Sequence, residues 1–274
     1  NPDVVLFPYL YGTYIVNTFL SKFKNKIPRV VNMQYEQVLN KKREELGTHD
    51  PTGTAVDAIH LCWGIDTKER LISHNVLPEN APVVGCLNVD MDLERFDSIY
   101  RSKEEMGKTF DIDSNKKWVL FMSSFTKNTD EIFFGKENTK IFQSIIQESR
   151  KEILGWIENY IKNDDCEFIY RPHPGEPIDD ILLQLTNKYK NFHVEKNDSV
   201  RSWIKVCDKI NTWFSTSIID AYFMKKDCSI LRPVYIPKDF DNVIMKDADY
   251  ITTYEDFYKY NKDTNLEYKF PIDK

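Results

Sequence analysis

Short apolar runs alternate with segments of helical periodicity along almost the whole chain, and this alternation restricts the fold more than any single motif does. Val4-Val5-Leu6-Phe7 reads as a buried strand, residues 11–24 place Tyr14, Ile15, Thr18, Phe19 and Phe23 at helical spacing, and 29–33 is the next apolar run. Strands at 57–62 and 83–87 then flank a helix at 67–75. A strand–helix–strand repeat joins parallel strands by right-handed crossovers, so the expected fold is α/β with helices packed on a parallel sheet. Only a turn precedes Val4, and the first domain is therefore expected to be truncated at its N-terminal side, its upstream βα units lying outside this sequence.

The rhythm lapses between residues 90 and 115, where Asp92, Glu94, Arg95, Asp97, Arg101, Lys103, Glu104 and Glu105 make the chain polar and no strand pattern appears. This divides the sequence into a first domain at 1–97, a linker at 98–115 holding a short helix near 102–110, and a second domain at 116–274. The second domain opens with the apolar strand 117–122, which ends in Ser123 and Ser124. A long amphipathic helix at 138–161 follows. Strands at 166–170, 192–194, 209–214 and 228–231 then alternate with helices at 178–189, 200–207 and 217–224, and a last helix lies near 254–260. Both domains thus read as Rossmann-like, doubly wound parallel sheets.

Two stretches of the second domain carry chemistry. Arg171-Pro172-His173-Pro174-Gly175-Glu176 is a turn forced at the carboxyl end of a strand by two prolines and a glycine, and ligands of open α/β sheets bind at that edge. Ser215-Thr216-Ser217 follows another strand directly before a helical pattern, where hydroxyls and unpaired N–H groups can hold an anion. A hydroxyl run of this kind is also the ordinary form of an N-cap, and a lone turn histidine is also an ordinary turn residue. On neighbouring strand ends the two together point to a phosphate or nucleotide site, to which the hydroxyls and N–H groups of Ser123 and Ser124 can add. In the first domain, Glu36 stands at the end of the 29–33 strand. It is a candidate general base for an acceptor hydroxyl and reads equally as a solvated loop carboxylate, with His49 and Asp50 as the next candidates.

Composition excludes several classes. No apolar run approaches the length of a membrane span, and no secretory leader opens the sequence. Cys62, Cys86, Cys166, Cys207 and Cys228 are widely spaced in apolar contexts, which indicates reduced core thiols of a cytoplasmic protein, without a disulfide framework or a metal-binding pair. A net charge of −6 argues against a general nucleic-acid binder.

Two α/β domains with the anion site on the second and a candidate base on the first follow the GT-B plan. Residues 117–233 resemble the bacterial capsule and teichoic-acid transferases, the group of polysialyltransferases, capsule Kdo transferases and CDP-glycerol glycerophosphotransferases. The resemblance rests on His173-Pro174, on Ser215-Thr216-Ser217 and on Asp220, which stands where that group places an acidic residue. It implies a metal-independent glycosyltransferase with no cofactor, using a nucleotide-activated donor, CMP- or CDP-linked, and a glycan or lipid-linked glycan acceptor. Its placement would be cytoplasmic, at the inner face of the membrane, with peripheral association through other segments. The His173-Pro174 dipeptide and Ser215-Thr216-Ser217 would bind the donor's nucleotide phosphate, Arg171 would join His173 on the leaving phosphate, Glu176 would position a ribose or sugar hydroxyl, and His173 and Glu36 would be catalytic. Tyr35-Glu36 matches the group in placement only. Two other classes fit the same plan, a nucleotide-sugar epimerase and a non-catalytic nucleotide- or glycan-binding protein.

Overall fold

The computed structural model describes residues 2–11, 18, 21–22, 28–34, 50–126, 136–242, 244–245 and 248–263. The chain divides into two compact units, 1–90 and 91–273.

In the first unit, β1 (Val4–Phe7), β2 (Arg29–Asn32) and β3 (Ile59–His60) pair in parallel in that order. Helix α1 (Ile65–Ser73) buries Leu71 beside Cys62, Val76 and Ala81. The 83–87 run does not form a strand. Val83 makes one parallel bridge to Cys62, Gly85 then takes a positive φ of 81°, and Leu87–Asp92 coils into 3-10 turns. A left-handed glycine cannot continue a ladder, which is why apolarity alone misreads this segment. The helix anticipated at 11–24 lies almost wholly outside the described residues.

The second unit is a six-stranded sheet of β4 (Lys117–Met122), β5 (Cys166–Arg171), β6 (Phe192–Val194), β7 (Lys209–Thr212), β8 (Cys228–Leu231) and β9 (Tyr250–Ile251). Every pair is parallel and the spatial order is β6-β5-β4-β7-β8-β9. Counted from β4, this is the 3-2-1-4-5-6 order of a doubly wound sheet. Successive residues of β4 point to opposite faces. Val119 and Phe121 pack against α3 (Lys136–Asn163), α4 (Asp180–Lys188) and α7 (Tyr254–Lys262), whereas Trp118, Leu120 and Met122 pack against α2 (Lys103–Phe110), α5 (Val200–Val206) and α6 (Ile218–Phe223). Burial of aromatic and aliphatic side chains on both faces is the main stabilising term.

Residues 98–115, expected to link the domains, contain α2, started by a reciprocal cap between Ser102 and Glu105. Met106 and Ile112 are buried in the core of the second unit beside Trp118 and Trp203, so the segment is a packed layer of that unit. Two-residue β9 has no counterpart in the apolar pattern. It is held by pairing of Ile230 with Tyr250 and of Leu231 with Ile251.

Candidate functional site

A doubly wound sheet offers its ligand crevice where the strand order reverses, which here lies between β4 and β7. Bonds between the strand ends gather the loops there. The Ser123 N–H donates to the Arg171 carbonyl at 2.9 Å, Thr212 Oγ1 donates to the Met122 carbonyl at 3.0 Å, and the rings of Phe125 and Trp213 lie 4.8 Å apart. Ser123 and Ser124, the His173 turn and the 215–217 hydroxyls thus share one sheet edge.

The charged residues of the β5 turn bond inward. Arg171 donates to the carbonyls of Glu195 (2.8 Å), Asn197 (3.3 Å) and Asp198 (2.6 Å), which fixes the loop between β6 and α5. Asp198 takes the left-handed conformation, φ 64°, in that loop. Glu176 is 1% exposed and accepts from Tyr170 Oη at 2.6 Å and from Ser123 Oγ, with Arg150 Nε 3.8 Å away. Burial pushes the Glu176 carboxyl above its usual range, and the bonds from Ser123 and Tyr170 oppose that rise. Tyr170 is a permanent donor, since burial and the adjacent carboxylate push its phenol well above the usual value. His173 and Pro174 are exposed. His173 Nδ1 accepts from the Gly175 N–H at 3.1 Å, so the neutral ring carries its proton on Nε2.

The β7 loop contains hydroxyls in place of charges. Thr212 Oγ1 accepts from the Ser215 N–H at 3.1 Å and Ser215 Oγ accepts from the Ser217 N–H at 3.2 Å. The N–H groups of Ile218 and Ile219 close short bonds to the carbonyls of Ser215 and Thr216. Much of the first turn is therefore bonded internally, and what the loop offers a ligand is hydroxyl protons, with Thr216 exposed. Ser124 Oγ, across the crevice, is buried without a hydrogen-bond partner among the described residues. An unpaired buried hydroxyl costs about 1–3 kcal/mol, which an incoming oxygen can recover. Behind the loop, Asp220 Oδ1 accepts from Arg201 Nη2 at 2.7 Å.

Glu36 and His49 lie outside the described residues. Asp50 pairs with Arg70 at 3.3 Å and His74 at 3.0 Å. The ends of β2 and β3 hold a buried polar cluster that sequence reasoning missed. The Asn32 and Gln34 side-chain amides donate to His60 Nδ1 (3.1 and 3.2 Å), and His60 Nε2–H donates to the Ala55 carbonyl at 2.8 Å. Burial lowers the His60 pKa and keeps the ring neutral. Tyr170 and Arg150 were also missed. Each sits in an apolar stripe, and only the fold shows that Glu176 is its neighbour. Among the described residues, no group of three or more His, Cys, Asp or Glu could hold a metal ion, and no helix is long and apolar enough to cross a membrane.

No family model matches this sequence. No curated protein matches it either. Solved structures do. The chain is similar to the UDP-GlcNAc 2-epimerase of Methanocaldococcus jannaschii at 17% identity and a TM-score of 0.61, over 99% of this chain and 73% of that one. It is similar to a putative UDP-N-acetylglucosamine 2-epimerase of Listeria monocytogenes at 16% identity and a TM-score of 0.53, over 84% and 57%. It is also similar to the wall teichoic acid polymerase TagF at 13% identity and a TM-score of 0.52, over 96% and 65%. These likenesses identify the fold as GT-B, built from Rossmann-like parallel sheets. The chain spans less than two thirds of the Listeria protein and of TagF.

Proposed function

We propose that the second unit binds the phosphates of a nucleotide-activated donor at the β4/β7 edge, and that the protein transfers a sugar or a polyol phosphate from it to a bacterial surface polysaccharide. The observation that carries this reading is the meeting of Ser123, Ser124, the His173 turn and the 215–217 hydroxyls on one sheet edge, with an unpaired buried hydroxyl among them. His173 Nε2–H donates to the leaving phosphate, and Ser124, Ser215, Thr216 and Ser217 hold its other oxygens, which stabilises developing charge without a metal. Glu36, from the first unit, deprotonates the acceptor hydroxyl. The likeness to TagF, a polymerase of wall teichoic acid, supports this reading. The donor is CMP- or CDP-linked, the acceptor a glycan or lipid-linked glycan, and the site of action the cytoplasmic face of the membrane.

The likeness to UDP-GlcNAc 2-epimerases supports a second reading, in which the same edge holds a UDP-sugar that is interconverted. Incubation with CMP-, CDP-, UDP- and GDP-linked donors separates the two. Nucleotide release that requires an acceptor is the result for transfer; interconversion of a UDP-sugar without acceptor is the result for epimerisation. Under the transfer reading, Glu36→Gln lowers turnover by about a hundredfold or more and leaves donor affinity unchanged. Full turnover in that variant would remove Glu36 from the reaction.

A further inference from the structure

The first residues of the second unit are strapped across α5 and α6 by charge. Asp92 is 1% exposed, and its Oδ1 accepts from Arg201 Nε at 2.6 Å, while the same guanidinium donates through Nη2 to Asp220 Oδ1 at 2.7 Å. Three further pairs run alongside, Asp97 with Lys205, Arg101 with Asp198 at 3.4 Å, and Glu94 with Lys225 at 3.7 Å. Of these pairs, only the Asp92–Arg201–Asp220 set is largely shielded from water. Asp220 lies one turn into the element that Ser217 begins, and the Ala221 N–H donates to the Ser217 carbonyl at 3.1 Å. Bonds therefore lead from the segment entering this unit, through Arg201, to the helix behind the hydroxyl loop.

We propose that Arg201, held between Asp92 and Asp220, is a positioning residue that couples the 91–101 segment to the 215–217 loop and so sets the loop for the donor phosphate. The proposal rests on the donor reading above for its ligand and on geometry for the coupling. It goes beyond that reading because neither Asp92 nor Arg201 belongs to the proposed binding edge.

The charge balance gives the coupling a proton dependence. Two carboxylates and one guanidinium sum to −1, and one bound proton makes the set neutral. Burial, with the Asp92 carboxyl second among the causes that raise it, pushes the Asp220 carboxyl up to about 7 against the opposing pull of Arg201. The groups facing the set are Tyr100 from the entering segment, whose Oη donates to the Met91 carbonyl at 2.9 Å, Asp97 with its partner Lys205 on α5, and the Ser217 hydroxyl on the loop. Below neutrality the proton is bound and the set is uncharged. Above neutrality a buried negative charge stands behind the loop and repels a phosphate.

The test compares the wild-type chain with Asp92→Asn and Arg201→Gln. Hydrogen exchange of the Ser217, Ile218 and Ile219 amides is expected to quicken by about tenfold in both variants, with exchange in β4 and β5 unchanged. Unchanged exchange in the loop, or a uniform rise across the sheet, would overturn the coupling. Affinity for whichever member of the donor panel binds is measured in parallel from about pH 6 to about pH 8; it is expected to fall by roughly tenfold in the wild type and to stay flat in Asp92→Asn. A flat wild-type profile would remove the proton from the mechanism. If no donor binds, the donor reading fails, and the exchange measurement alone decides the coupling.

Discussion

The turn after β5 and the loop after β7 stand on the same sheet edge and solve opposite problems. The β5 turn carries an arginine and a glutamate, yet both bond inward, Arg171 to three carbonyls and Glu176 to Tyr170 and Ser123. The β7 loop carries no charge and ties itself together with hydroxyls and short main-chain bonds. The difference teaches that charge at a strand end is not by itself ligand-binding charge. Here it builds a rigid turn that displays the exposed His173, while the hydroxyls and that single ring are what a phosphate would meet.

The comparison is tested hardest at Arg171. Replacing it with methionine strands three carbonyls of a half-buried loop, and we expect a loss of about 3 kcal/mol in unfolding free energy, read by denaturant titration. A variant as stable as the wild type, with donor binding abolished, would reverse the assignment and make Arg171 a ligand group. Next in size, Ser215→Ala with Ser217→Ala is expected to cost about 1–3 kcal/mol of donor affinity by calorimetry, with a smaller change in stability. A loss confined to stability would reduce the loop to a cap.

His173→Ala sharpens the contrast from the other side. The ring is exposed and its bond from the Gly175 N–H is local, so the melting temperature should hold while donor affinity drops by about 1 kcal/mol or more. The smallest effect is at Glu176. Its carboxyl is raised in the folded state, so its contribution to stability is full below the ordinary carboxyl range and declines as pH rises towards the folded value. Glu176→Gln should flatten that part of the stability profile, measured as melting temperature against pH.

How much of this was legible beforehand follows from where each signal resides. Strands β4, β6 and β8 are short, largely apolar runs, and their bounds match the sequence pattern residue for residue. The apolar pattern of β7 runs through Trp213 and Phe214, but the ladder stops at Thr212, after which Trp213 is buried in the core and Phe214 packs against it. The places of His173 and the 215–217 hydroxyls were legible because proline, glycine and hydroxyls mark turns and helix starts. The partners of Arg171 were not, since main-chain carbonyls 24 to 27 residues away leave no mark in composition. Asp92 and Arg201, 109 residues apart, read separately as a polar segment and a helix face.

The order of the sheet also bears on how the molecule is made. Thr212 bonds the Met122 carbonyl across a sequence separation of 90 residues, whereas Met122 pairs with Arg171 on the other side. As the chain leaves the ribosome, β4, β5 and β6 are complete before β7 exists, and that half can close its own crossovers first. The His173 turn is therefore fixed early, and the edge facing it arrives late. A nascent chain stopped between β6 and β7 would own half of the crevice, so under the proposed function donor binding would switch on in one step as residues 209–217 emerge.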